Sequence, residues 1–114
     1  MPTNKSPLQL MPFEQMRFTP RFEYGEMAEL VEICGSENGS KMAAGWCRFR
    51  KARIPWTIYY DEVLTVFEGS LKLYANGEIY NLEVKDSIWL PTGTELIYEA
   101  ESALVYYAAH PANW

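Results

Sequence analysis

The residues with the greatest chemical reach in this chain are three in a row, Tyr60, Asp61 and Glu62. They interrupt an apolar, aromatic and β-branched run over residues 55–69, which Gly69 closes. Such residue types favour pleated, half-buried strands. Ionised carboxylates resist burial unless they are paired, so the acidic pair is expected where two strands meet, near the rim or inside a cavity. Adjacent carboxylates in a partly desolvated pocket repel, and one pKa then rises enough for acid–base work. The plainer alternative is a polar turn whose acids are solvated, and spacing alone favours it.

A second cluster is cationic. Arg48, Arg50, Lys51 and Arg53 fall within six residues, and guanidinium groups receive phosphate or carboxylate well. Arg48 and Arg50 point the same way on an ideal strand. A charged edge strand, which discourages pairing with other sheets, is the competing explanation, with Glu23, Glu26 or Glu29 as partners. Trp46, Trp56, Trp89, Tyr74, Tyr98 and Tyr106 are candidates for a pocket lining, although core packing accounts for most of them. The chain has no Gly-x-x-x-x-Gly-Lys-Ser/Thr phosphate loop.

The elements that must hold these residues are short strands. Prolines 2, 7, 12 and 20 rule out a continuous helix at the start, so residues 1–20 are expected as an extended arm with one short turn between Pro12 and Arg17. Residues 27–34 are a strand candidate, since a turn-rich loop follows at once over residues 35–40. In residues 41–53, Met42, Ala44, Trp46, Arg48 and Arg50 share one face, and Ala43, Gly45, Cys47 and Phe49 the other. Residues 71–74 and 79–82 flank Asn76-Gly77, a two-residue hairpin turn. Residues 84–86 form another turn and residues 87–90 a short strand. Residues 95–98 and 103–108 are expected as two further strands. Short strands at even spacing, with no long helix, predict an all-β sandwich or small barrel in a single domain over residues 21–114.

Composition narrows the function classes. The formal net charge is -5, and an acidic surface repels a phosphate backbone, which argues against nucleic acid. Cys34 and Cys47 are the only cysteines; they lie in strand-like runs and make neither a disulfide framework nor a zinc spacing. No apolar run is long enough to span a bilayer, and residues 1–6 lead into no signal-peptide core, so a cytoplasmic location is expected, without membrane association. The arm carries Leu8, Leu10, Met11, Phe13, Met16 and Phe18. Burying each such side chain is worth ~1.5–3 kcal/mol, so they are expected to cover the barrel or contact a partner subunit in a homodimer.

Two landmarks resemble the paired motifs of the cupin family. Glu62 followed by Gly69 fits the end of the first motif, and Asp86 with Pro91-Thr92-Gly93 fits the second, with the Asn76-Gly77 hairpin between. The resemblance covers residues 42–109 and implies a jelly-roll barrel of the RmlC-like kind, dimeric, with an internal pocket. It makes Trp56 and Trp89, which lie in the two motifs, the expected pocket walls, with Arg48 and Arg50 as further ligand-binding candidates. A metal-binding cupin carries two histidines before the glutamate and a third after Pro-x-Gly. Those slots here hold Pro55/Thr57 or Trp56/Ile58, and then Leu96, while the sole histidine is His110. Imidazole is the usual ligand for transition metals in such sites, so no metal is expected.

A narrower resemblance is to the ethanolamine-utilisation EutQ family. It rests on Pro55-Trp56-Thr57-Ile58, Tyr60-Asp61-Glu62, Phe67-Glu68-Gly69-Ser70-Leu71, residues 86–93, residues 41–45 and the ending His110-Pro111-Ala112-Asn113-Trp114. It implies a role in small-carboxylate and ethanolamine metabolism, with Tyr60, Asp61 and Glu62 as catalytic candidates. It also implies acetate kinase activity, for which ATP and Mg²⁺ would be required, the ion resting on Asp61 and Glu62. The alternative is a non-catalytic cupin that binds a small organic ligand or serves as a structural partner. EutQ proteins carry a longer segment ahead of the cupin, so the resemblance does not extend to properties residing there, such as docking to a microcompartment.

Overall fold

The computed structural model describes residues 8–112. Residues 1–7 of the proline-rich arm, and Asn113-Trp114 of the closing motif, lie outside the described residues. Eight strands follow in order: β1 (Thr19–Pro20), β2 (Ala28–Cys34), β3 (Ala43–Thr57), β4 (Asp61–Gly69), β5 (Leu71–Ala75), β6 (Glu78–Leu82), β7 (Ser87–Leu90) and β8 (Glu95–His110). All pairings are antiparallel, in the order β1-β2-β3-β8-β4-β7, with β5 also beside β8 and β6 beside β5. Among the described residues no helix is long and apolar enough to cross a membrane.

The architecture turns on β3 and β8. They pair from Ala43 opposite Ala109 to Thr57 opposite Glu95. The later half of β8 also pairs with β4, and its earlier half with β5. The two long strands therefore belong to two sheets that wrap around one core, a jelly-roll barrel. Residues 95–98 and 103–108 are consequently one strand, not two. Glu101 and Ser102 are exposed between them. Inward residues change from even numbers (Leu96, Tyr98, Ala100) to odd numbers (Ala103, Val105, Tyr107, Ala109) at that point. Lys51, with φ of 44°, marks the matching phase change in β3: Ala43, Cys47 and Phe49 point inward before it, and Ala52 and Ile54 after it.

Ile58, Val66, Leu71, Leu73 and Val105 are the largest fully buried side chains, each worth ~1.5–3 kcal/mol. Gly69, with φ of +74°, lets β4 turn into β5 where a Cβ would stand 2.0 Å from the Ser102 carbonyl oxygen. At the hairpin Asn76 and Gly77 have φ of 53° and 76°, the left-handed pair that a twisted two-residue turn demands.

The arm returns onto the barrel. A single 3-10 turn spans Phe13–Gln15. The Phe13 ring stands edge-on to Trp46 at 5.2 Å and to Phe18 at 6.2 Å. Trp46 in turn contacts Tyr106 at 4.8 Å and Phe67 at 4.9 Å, so an aromatic row crosses β3, β8 and β4 on the outer face. Leu8 and Leu10 stay fully exposed within the chain.

Candidate functional site

Adjacent residues on a strand point to opposite faces, and this separates the acidic pair. Asp61, the first residue of β4, points out. Its Oδ1 accepts hydrogen bonds from the Thr92 backbone N–H at 3.1 Å and the Thr92 hydroxyl at 3.2 Å. Beside it, the Ile58 N–H donates to the Thr94 carbonyl at 2.8 Å, and the Gly93 N–H to the Ile58 carbonyl at 2.7 Å. These bonds clamp the loop before β4 onto the turn after β7 and fix where the next residue enters the barrel.

That residue is Glu62, opposite Leu90 and Ala109 and 8% exposed. Its Oε1 is buried without a hydrogen-bond partner. Burial raises its pKa from the ordinary 4.5 to about 7, with the positive charge of Arg21 pulling the other way. Desolvation, not repulsion by Asp61, produces the shift, because Asp61 faces out of the barrel.

Arg21 reaches the same cavity from the end of the arm. β1 pairs with β2 through Thr19 opposite Leu30 and Pro20 opposite Glu29, and the Arg21 N–H donates to the Ala28 carbonyl at 3.0 Å. The guanidinium lies 4.6 Å above the Trp56 ring, a cation–π stack, while Tyr24 packs on Trp56 edge-on at 6.3 Å. Both Arg21 and the Trp56 indole N–H hydrogen-bond the Tyr60 phenol. Burial, followed by the charge of Glu62, raises the Tyr60 pKa. Tyr98 is held well above the usual range by burial, and Tyr107 is raised by burial and then by Glu32. Both hydroxyls therefore stay protonated as donors. Cys47 is pushed up to about 12 by burial and remains a thiol, not a nucleophile.

Together these groups line a cavity of about 810 Å³, within the size range of small-molecule sites. The structure brings Trp56, Tyr60, Glu62 and Tyr98 together there. It leaves the remaining candidates outside. Trp89 pairs with Val63 on the outer face and is 65% exposed. Arg48 lies over the Phe18 ring at 5.2 Å, and Arg50 pairs with Glu29 at 3.5 Å. Tyr74 donates to Glu99, which also pairs with Arg53 at 3.2 Å. Arg17, Arg21, Glu32 and Tyr107 line the cavity without having been singled out in the sequence. Glu32 was legible, since period two puts it on the face of Ala28 and Leu30. Arg21 carried no such signal, because its place follows from the pairing of β1 with β2.

The donor set does not fit a metal. Among the described residues no group of three or more His, Cys, Asp and Glu is placed to hold an ion. Asp61 and Glu62, on opposite faces of β4, cannot share a Mg²⁺ ion as the sequence reading required.

Two antiparallel sheets sharing β3 and β8 around a cavity define a cupin barrel. The cupin domain of Cnp3 from Schizosaccharomyces pombe matches with a TM-score of 0.72 over 88% of this chain and 72% of that one; at 11% identity, this likeness concerns the fold alone. The chain belongs to the EutQ family, whose profile, "Ethanolamine utilisation protein EutQ", matches residues 8–114. Acetate kinase EutQ of Escherichia coli (strain K12) is 30% identical over 98% of this chain and 49% of its own length. A solved ethanolamine utilization protein Q from Salmonella typhimurium is 33% identical, with a TM-score of 0.71 over 75% of this chain and 71% of that one. The chain thus spans about half the length of the Escherichia coli relative.

Proposed function

We propose that this EutQ-family cupin binds a small organic acid in the barrel cavity, with Arg21 facing the ligand carboxylate and Glu62 as the group that gives or takes a proton. One observation carries the reading: a buried carboxyl oxygen of Glu62 lacks a partner inside a cavity that also holds Arg21 and several hydroxyl donors. An unsatisfied buried polar atom costs ~1–3 kcal/mol, and a ligand oxygen meeting protonated Glu62 removes that cost. Titration with carboxylates from acetate to hexanoate, followed by ¹H–¹⁵N spectra, tests the reading. Saturable shifts in residues around Glu62 and Arg21 are expected, and their absence at high ligand concentration refutes it.

Acetate kinase activity, the property in the Escherichia coli relative's name, is the second reading. The acid site accommodates its carboxylate substrate. The geometry of Asp61 and Glu62 supplies no Mg²⁺ site, and no step through Mg²⁺ or ATP is derived. Acetate-dependent ADP formation with Mg²⁺ present is the test; no turnover at high protein concentration refutes catalysis and leaves ligand binding standing. The exposed outer-face residues Met42, Val63, Phe67 and Trp89 support a homodimer through that sheet.

A further inference from the structure

We infer that the cavity takes a monocarboxylic acid with an apolar body well beyond two carbons, an aryl-acetic or medium-chain acid. The inference rests on the proposed acid site and specifies its ligand. A two-carbon acid needs one anion contact and almost no apolar wall. This cavity has about 810 Å³ and is walled away from its polar groups by Leu30, Phe49, Ile54, Leu64 and Val105. Phe49 and Tyr98 lie 5.3 Å apart with rings tilted by 32°, which presents flat apolar surface to a ring or chain.

The charges restrict the class further. Arg17, Arg21, Glu32 and Glu62 all line the cavity. With Glu62 protonated, Arg17 and Arg21 exceed Glu32 by one positive charge, which one added carboxylate matches. A second would stay unneutralised beside Glu32 in a partly desolvated space, where like charges are costly. Dicarboxylates and polyphosphates are therefore disfavoured, and a single acid head on an apolar body is favoured.

Calorimetric titration of the full chain at about pH 6.5 tests this with acetate, butanoate, hexanoate, phenylacetate, its neutral amide and succinate. Binding should tighten by about fourfold per added methylene, phenylacetate should exceed its amide, and succinate should bind less well than butanoate. Replacing Leu30 by phenylalanine (Leu30→Phe) should abolish the gain with chain length and retain acetate. Arg21→Met should weaken phenylacetate by at least about tenfold. Acetate binding as tightly as hexanoate and phenylacetate in the unaltered protein overturns this inference and leaves the acid site standing. Failure of every carboxylate to bind overturns the acid site itself.

Discussion

Replacing Glu62 by glutamine should change how stability depends on pH. The Glu62 pKa is about 7 in the folded protein against an ordinary 4.5. Between those values the folded state holds a proton that the unfolded state has released. Stability therefore falls as pH rises, the favourable contribution being complete below the unfolded pKa and lost as pH passes through the folded one. At ~1.4 kcal/mol per pKa unit the full span is ~3 kcal/mol, of which ~2.5 kcal/mol falls between about pH 5 and pH 8. The side chain is buried, so solvent screening removes little of this. Glu62→Gln keeps the shape and cannot ionise, so subtracting its curve from that of the unaltered protein cancels the other titrating groups. Urea denaturation of both proteins at several pH values gives the comparison. The glutamine variant should gain ~2.5 kcal/mol relative to the unaltered protein on going from about pH 5 to pH 8. A gap constant to within ~0.5 kcal/mol would mean that Glu62 titrates normally and is not desolvated in the cavity.

Three further outcomes are expected. Arg21→Met removes the charge that holds the Glu62 pKa down, so carboxyl ¹³C titration should find that pKa above about 7, and a lower value would contradict the pocket electrostatics. Gly45→Ala places a Cβ 2.2 Å from the Val31 carbonyl oxygen and 3.0 Å from the Tyr107 hydroxyl, which should cost ~1–3 kcal/mol in thermal denaturation; a neutral effect would mean that β2 and β3 do not approach so closely. Light scattering should find a dimer that Trp89→Glu or deletion of residues 1–19 shifts toward monomer, and a monomeric full chain would remove the outer face as an interface.

Local pattern made much of the barrel legible. The alternation of Ala43, Cys47 and Phe49 against Trp46, Arg48 and Arg50 determines which face of β3 is buried, because a strand repeats every two residues. Asn76-Gly77 specifies its hairpin through backbone conformations that few other residues tolerate. The motif carrying Glu62 and Gly69 located the acid that enters the barrel. Glu101-Ser102 was harder. Two exposed residues with a phase change look like a strand break, yet here they mark one strand passing between sheets.

Residue types and their spacing are enough to specify a β-barrel, an acid at its rim and motif positions without the usual metal ligands. What those acids do depends on the folded sheet. Strand geometry sends Asp61 out to Thr92 and Glu62 in, and the low polarity around Glu62, not its charged neighbour, raises its pKa. Arg21 joins the site because β1 pairs with β2, a contact between residues distant enough in sequence that no local pattern announces it. Arg48, Arg50 and Trp89 have residue types suited to a binding site, and the sheet places them on its outer side. Residue type limits what a side chain can do; the face of the sheet it occupies fixes its solvent and neighbours, and through them its charge state and partners.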